Sequence, residues 1–286
     1  MKILLIGRNS YIGNHIAQWL SSRGEYEVFQ LDALTDEWKT FDYSSYNTVV
    51  HVAGIVHRPE CKDWDLYKRV NTEMPIEIAT MAKKQGVKQY VFFSTMGVYG
   101  VEKKLVPNII NADTPLLAGD MYGKSKLMAE KGLIELQDKY FNVVCVRPPS
   151  VYGKGCRGGY ISGFASVVKM MPILPRAYDN VKQSFIYIDN LSEFVRQAII
   201  NNLNGVYCPQ DDKAVSANEL LRAIAIGMGK KYKSSCILGM FIRLLGFMPI
   251  VKKAYGGVAY DINLSAIDNI NYVVVSFDEG MKRTLK

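Results

Sequence analysis

Five short runs rich in Val, Ile, Leu and Phe recur in the first half of the chain, at Lys2 to Ile6, Glu27 to Leu31, Thr48 to Val52, Gln89 to Phe93 and Val143 to Val146, with segments of helical character between them. No other feature constrains the fold as much. Strands joined by helices run parallel, because a parallel pair needs a long crossover, and the crossover helices then cover both faces of the sheet. Strands covered on both faces read as unbroken apolar runs, as these do. The expectation is an α/β chain built on a doubly wound parallel sheet, with ligands bound outside the carboxyl ends of its strands.

The first strand ends in Gly7-Arg8-Asn9-Ser10-Tyr11-Ile12-Gly13 and enters a helix expected over Asn14 to Arg23. Gly7 allows a tight turn and Gly13 close helix packing, so that a pyrophosphate can sit on the unpaired N–H groups of the helix N-terminus, near Ser10, Tyr11 and Ile12. This makes the sheet Rossmann-type. Ser10 stands where the usual pattern has its middle glycine, and its hydroxyl can donate a hydrogen bond. The second strand ends at Asp32, 25 residues beyond Gly7, where a carboxylate accepts from adenosine ribose hydroxyls and repels a 2′-phosphate. NAD is therefore favoured as cofactor; Arg8, which could pair with a 2′-phosphate, keeps NADP open.

After Pro148 the strand–helix pattern loosens into Gly- and Pro-rich loops, then resumes with a strand over Ser184 to Ile188 and a helix from Asp189. Residues 1–182, with 183–204 returning to them, are expected to form the dinucleotide-binding domain, and residues 205–286 a smaller substrate-binding lobe. At 286 residues and 49% hydrophobic the chain can bury such a core. Its net charge of +8 suits phosphorylated partners, but pairs such as Lys103-Lys104 lie beside turns and read as solvated surface, so nucleic acid is not expected as a partner. The five cysteines lie apart with no CxxC pair, which suggests neither a disulfide framework nor a metal site and suits a reducing cytoplasm. The apolar run at the N-terminus is too short for a signal peptide. A second apolar stretch, Cys236 to Val251, is interrupted by Arg243 and Pro249 and falls short of the ~20 residues of a membrane span, so no integral membrane segment is expected. It reads as a buried or substrate-facing helix, with interfacial membrane contact as the alternative.

Tyr122-Gly123-Lys124-Ser125-Lys126 opens a helix expected to run to about Tyr140, and the i to i+4 spacing puts Tyr122 and Lys126 on one face. An ammonium held close to a phenol favours the phenolate, bringing proton transfer within reach at neutral pH. The preceding strand ends in Ser94-Thr95, which places hydroxyls at a strand's carboxyl end. His51 reads as a packed strand residue and Asn71 as one that fixes its own helix.

Six motifs, in order along the chain, resemble the NAD-dependent epimerase/dehydratase family, the extended short-chain dehydrogenases. They are the Gly7 to Gly13 loop, His51-Val52-Ala53-Gly54, Ser94-Thr95 with Val98-Tyr99-Gly100, Tyr122 with Lys126, Arg147-Pro148-Pro149 with Val151-Tyr152-Gly153, and Phe185-Ile186-Tyr187-Ile188-Asp189. The resemblance implies that Tyr122 is the acid/base and Lys126 its electrostatic partner and ribose ligand. It also implies that Thr95 shares the sugar's C4 oxygen, with Ser94 in reserve, and that Ala53, Gly54 and Pro148 line the cofactor. A UDP-sugar substrate and a homodimer follow from the same resemblance. Arg157 and Lys182 either grip a diphosphate or face water; where the family often has a phosphate-binding arginine this chain departs, with Gln183 and Lys182 beside it. Tyr260 falls in a segment that resembles one sizing the sugar pocket.

The residues after Thr95 are Met96 and Gly97, not the acid pair with which family dehydratases eliminate water, so dehydration is disfavoured. What is expected is an NAD-dependent nucleotide-sugar C4 epimerase, of the UDP-glucose 4-epimerase type, acting on a UDP-hexose or UDP-N-acetylhexosamine. The alternatives are an NAD(P)H-dependent reductase of a 4-keto-6-deoxysugar nucleotide in surface polysaccharide synthesis and a non-catalytic dinucleotide sensor.

Overall fold

A computed structural model describes residues 1–56, 63–156 and 160–286. The chain divides into two compact units, the first comprising Met1–Gly100, Pro115–Pro148 and Leu191–Pro209, the second Val101–Thr114, Pro149–Asn190 and Gln210–Lys286. These units interleave along the chain, whereas the sequence sets a single lobe at 205–286. The reason lies in what each segment pairs with. Gly205–Tyr207 adds a strand to the main sheet, while Ser150–Tyr152 pairs in parallel with Phe185–Tyr187 inside the second unit.

The first unit is a six-stranded parallel sheet: β1 (Lys2–Ile6), β2 (Glu27–Leu31), β3 (Thr48–His51), β4 (Gln89–Phe93), β5 (Asn142–Val146) and β6 (Gly205–Tyr207), in the spatial order β6-β5-β4-β3-β1-β2. The five apolar runs are its first five strands. The sixth was not legible, because its three residues are too few to show a pattern. Leu4, Ile6, Val49, Tyr90, Phe92, Val143 and Cys145 share one cluster with Ile78, Ala79 and Ala82 of α3 (Met74–Lys84) and with Ala129 and Leu133 of α4 (Met121–Glu135). This numbering counts α1 as Tyr11–Ser21 and α2 as Trp64–Lys68. The alternate strand residues Ile3, Leu5, Val50, Val91 and Val144 are as deeply buried, so both faces of the sheet are covered.

Two polar ties lock α4 into this frame. Arg147, just beyond β5, grips Glu130 of α4 with its guanidinium fork at 2.9 and 2.6 Å and donates a third bond to the Tyr99 hydroxyl at 2.9 Å, all three side chains being buried. On its other side, Thr72 donates its hydroxyl to the Ser125 carbonyl at 2.7 Å. The α4 helix ends at Glu135 rather than near Tyr140, because Gln137 and Asp138 turn back to bond with the strand that follows.

In the second unit, α5 (Tyr160–Met170), α7 (Ala217–Gly227) and α10 (Phe277–Leu285) pack together; α6 (Ile188–Ile200), most of which belongs to the first unit, starts one residue ahead of its expected place. Asp211 is the polar centre, accepting from the Tyr152 hydroxyl, the Tyr187 N–H and the Asn190 amide at 2.7, 2.8 and 2.8 Å. Burial lifts its carboxyl to about 6.

A buried ion pair is costly to break from one side and cheap to replace whole. Arg147→Leu is predicted to lower stability by about 3–5 kcal/mol, and adding Glu130→Leu to recover much of that loss. Urea unfolding of the two single variants and the double variant reads the coupling; additive losses would contradict it.

Candidate active site

The Gly7–Gly13 loop is built to leave backbone exposed. Gly7 sits at φ 129°, and a Cβ there would lie 3.0 Å from the Ala53 nitrogen, so β1 and the loop after β3 can approach only at a glycine. A Cβ on Gly13 would meet the Ser10 hydroxyl oxygen at 2.5 Å and the Gly7 carbonyl at 2.9 Å. Ser10 is the N-cap of α1, its hydroxyl oxygen accepting from the Gly13 N–H at 2.9 Å, so the hydroxyl proton remains available to a ligand. The substitution of the middle glycine is thus a helix cap, and α1 begins at Tyr11, three residues before its expected start.

Around the loop lies a cavity of about 840 Å³ lined by Gly7, Arg8, Ser10, Asp32, Ala53 and Gly54 among others. Asp32 is held at the end of β2 by accepting from the Leu34 N–H at 2.9 Å, which leaves its other carboxylate oxygen for a ligand. Arg8 is exposed on the same wall. Volume, exposed helix N-terminus and carboxylate together fit a dinucleotide.

At the carboxyl end of β4, Thr95 adopts an extended conformation and accepts from the Gly97 N–H at 3.1 Å, and its hydroxyl lies close enough to Tyr122 to lower the phenol's pKa. Ser94 differs: its hydroxyl is buried with no hydrogen-bond partner among the described residues. Gly123 lets the start of α4 press against this turn, since a Cβ would lie 2.7 Å from the Gly97 carbonyl. Pro148 is half-buried and its carbonyl accepts from the Met96 N–H at 3.2 Å, fixing the same turn.

Lys126 is buried one helical turn beyond Tyr122. Its ammonium donates to the Phe93 carbonyl at 2.8 Å and lies 4.5 Å from the centre of the Phe92 ring. Burial lowers its pKa to about 7, partly opposed by the Glu130 carboxylate. Burial raises the Tyr122 pKa and the Thr95 hydroxyl lowers it, while one N–H of the Lys126 ammonium is donated to a backbone carbonyl.

Two features beside the pair were missed. Asn71 does not fix its own helix: its amide oxygen accepts from the Ile55 N–H at 2.8 Å, and its amide nitrogen donates to the Ile55 carbonyl at 2.9 Å and the Ser125 hydroxyl at 3.1 Å. It therefore clamps the loop after β3 onto α4, from a π-helical turn over Arg69–Glu73. Glu130, buried like Lys126, continues the helix face that half-buried Tyr122 begins. In both cases the signal was a polar residue at buried spacing, Asn71 four after Tyr67 and Glu130 four after Lys126. His51 is packed, as expected: its Nδ1 lies 2.6 Å from the Tyr90 hydroxyl, and burial together with the Lys126 charge lowers its pKa to about 3.

Lys182 and Tyr260 belong to the second unit. The Lys182 ammonium is 2.6 Å from Glu219, the residue that closes the capping box of α7. Tyr260 is buried, its N–H donating to Ser184 at 2.9 Å. Lys103 is not plain surface: its ammonium donates to Gln183 at 2.6 Å and sits 3.8 Å from the centre of the Tyr160 ring, and burial lowers its pKa to about 8. Arg157 lies outside the described residues.

A family model described as "NAD dependent epimerase/dehydratase family" matches residues 3–207. A UDP-glucose 4-epimerase of Vibrio cholerae is 29% identical over 91% of this chain and 87% of its own length. An N-acetyl-alpha-D-glucosaminyl-diphospho-ditrans,octacis-undecaprenol 4-epimerase of Escherichia coli O157:H7 is 26% identical over 96% and 83%. Among solved structures, a UDP-glucuronic acid 4-epimerase from Bacillus cereus in complex with NAD superposes with TM-score 0.75 at 18% identity, covering 100% of this chain and 97% of the other.

Folding must tolerate a lysine whose charge is disfavoured. Its pKa of about 7, against ~10.4 in the unfolded chain, means that the unfolded state binds more protons between those values, so the penalty is full below pH 7 and shrinks as pH rises. Lys126→Met is predicted to raise the melting temperature relative to the parent by more at pH 6 than at pH 9. Thermal unfolding at both values checks this, and an equal or reversed difference would refute it.

Proposed function

This chain belongs to the NAD-dependent epimerase/dehydratase family, and from that premise we propose that it is a C4 epimerase of a UDP-hexose or UDP-N-acetylhexosamine. The observation that carries the proposal is the close packing of the start of α4, at Gly123, against the turn that carries Thr95, which sets Thr95 beside Tyr122, with Lys126 buried one turn along the same helix. The 4-epimerases among the relatives support it.

In this mechanism Gly7, Ser10, Tyr11, Ile12 and Gly13 would hold the cofactor's pyrophosphate, Asp32 its adenosine ribose, and Ala53, Gly54, Pro148 and Lys126 the nicotinamide side. When bound, NAD would supply a reversible hydride acceptor. Tyr122 takes the C4 hydroxyl proton as the carbon is oxidised and returns it after the 4-ketosugar has presented its other face. Thr95 hydrogen-bonds the same sugar oxygen and the phenol, stabilising the phenolate as the proton moves. Lys126 keeps positive charge near that phenolate, so its ammonium shifts from the Phe93 carbonyl toward the reacting groups. Lys182, Arg157 and Tyr260 would serve the diphosphate and sugar.

Arg8, exposed on the wall it shares with Asp32, favours a second reading in which NADPH reduces a 4-keto-6-deoxysugar nucleotide. The two are separated by incubating the purified protein with UDP-glucose and UDP-N-acetylglucosamine and following the anomeric protons by NMR. A C4 epimer is expected from at least one, and Tyr122→Phe should slow its formation by ~10² to 10⁴ while calorimetry still shows NAD binding. No epimer from either, with NADPH consumed by a 4-keto-6-deoxysugar nucleotide, would replace the epimerase by the reductase.

A further inference from the structure

The apolar stretch that begins at Cys236 folds as α8 (Cys236–Leu244) and, after a turn, α9 (Pro249–Tyr255), both in the second unit. Gly239 is the only buried residue of α8, and a Cβ there would lie 1.8 Å from the Arg176 carbonyl, so this glycine presses the helix backbone onto the unit. Its neighbours Leu238 and Ile242 are half-buried on that side. The opposite stripe, Ile237, Met240, Phe241 and Leu244, has the i, i+3, i+4, i+7 spacing of one helix face, yet it points to solvent. Phe247 in the turn and Ile250 in α9 extend it, and the six side chains are 58% to 75% exposed. A helix face of this kind ordinarily turns inward, and an exposed apolar surface of this extent marks an interaction site.

Charge identifies the partner. Residues 220–260 contain seven lysines and arginines (Arg222, Lys230, Lys231, Lys233, Arg243, Lys252, Lys253) and no aspartate or glutamate. Arg243 lies within α8, and Lys252 and Lys253 follow Ile250 in α9; all three are exposed and none pairs with an acidic side chain among the described residues. Bulky apolar side chains on one helix face, bordered by cations that have no acidic partner among the described residues, complement an anionic bilayer surface: the former enter the acyl boundary and the latter meet the headgroup phosphates. No helix among the described residues is long and apolar enough to cross a membrane, so the contact lies in the interface. We propose that the α8–α9 surface docks this protein onto anionic membranes. The proposal stands apart from the epimerase reading, because its test reads partition and not turnover.

The test is flotation of the purified full chain with vesicles of phosphatidylglycerol and phosphatidylethanolamine, against vesicles of phosphatidylcholine alone. The parent should float with the anionic vesicles, weakly with phosphatidylcholine, and less as salt is raised. Phe241→Ser/Phe247→Ser, which alters only exposed side chains, should lower partition at least tenfold, and Lys252→Glu/Lys253→Glu should abolish the preference for anionic lipid. Circular dichroism and basal turnover should match the parent in both variants. Failure of the parent to float with anionic vesicles, or equal partition by the parent and both variants, would overturn the proposal. So would a parent that sedimentation shows to self-associate through this face without floating, because the partner would then be a second copy.

Discussion

A lysine ammonium buried at the end of a parallel sheet has to be accommodated, and much of the first unit is arranged around the one at position 126. The Phe93 carbonyl accepts its proton, the Phe92 ring offers a π-face, and Glu130 supplies opposite charge one turn further along α4. Glu130 is itself buried and would be a second problem if Arg147 did not clasp it with two bonds. Gly54 leaves room for both groups: a Cβ there would lie 3.0 Å from the lysine's nitrogen and 2.9 Å from the Asn71 amide oxygen, so one or both side chains would have to move. Asn71 in turn ties that glycine's loop to Ser125 on the helix that carries the lysine. The stability surrendered to hold this charge is the ordinary cost of a functional group in a dry site.

The same frame explains the division of labour between the two hydroxyls after β4. Because β4 ends where α4 begins to pack, Ser94 turns into the protein and Thr95 toward Tyr122. Thr95 caps its own turn through the Gly97 N–H, so its hydroxyl proton is left to point at the phenol. Burial favours the neutral phenol of Tyr122, and the Thr95 hydroxyl opposes it.

Much of this was legible in the sequence, and the parts that were not have physical reasons. Unbroken apolar runs betray strands covered on both faces, and Gly7, Gly13 and the Tyr122–Lys126 spacing betray a loop and a helix face, because each rests on short-range geometry. Where Lys126 sends its proton depends on the Phe93 carbonyl, 33 residues away, and no local pattern reports it. The clamp from Asn71 to Ile55 and the Lys103 bond to Gln183 are long-range in the same way. The interleaved units were hidden because Gly205–Tyr207 is too short to announce itself as a strand. The apolar stretch from Cys236 reads in the sequence as a buried or substrate-facing helix, since apolar periodicity says which residues share a face but not whether another element covers it.

The claim on which the account turns is that oxidation and reduction occur at the same sugar carbon, with the hydrogen kept inside the site while Tyr122 handles the proton. Deuterium placed at C4 of UDP-glucose or UDP-N-acetylglucosamine reports this directly. The account predicts a C4 epimer that retains the label at C4 with no nicotinamide cofactor added beyond what the protein binds. An epimer that has lost its label to solvent, or a label recovered only in unreacted substrate, would contradict it.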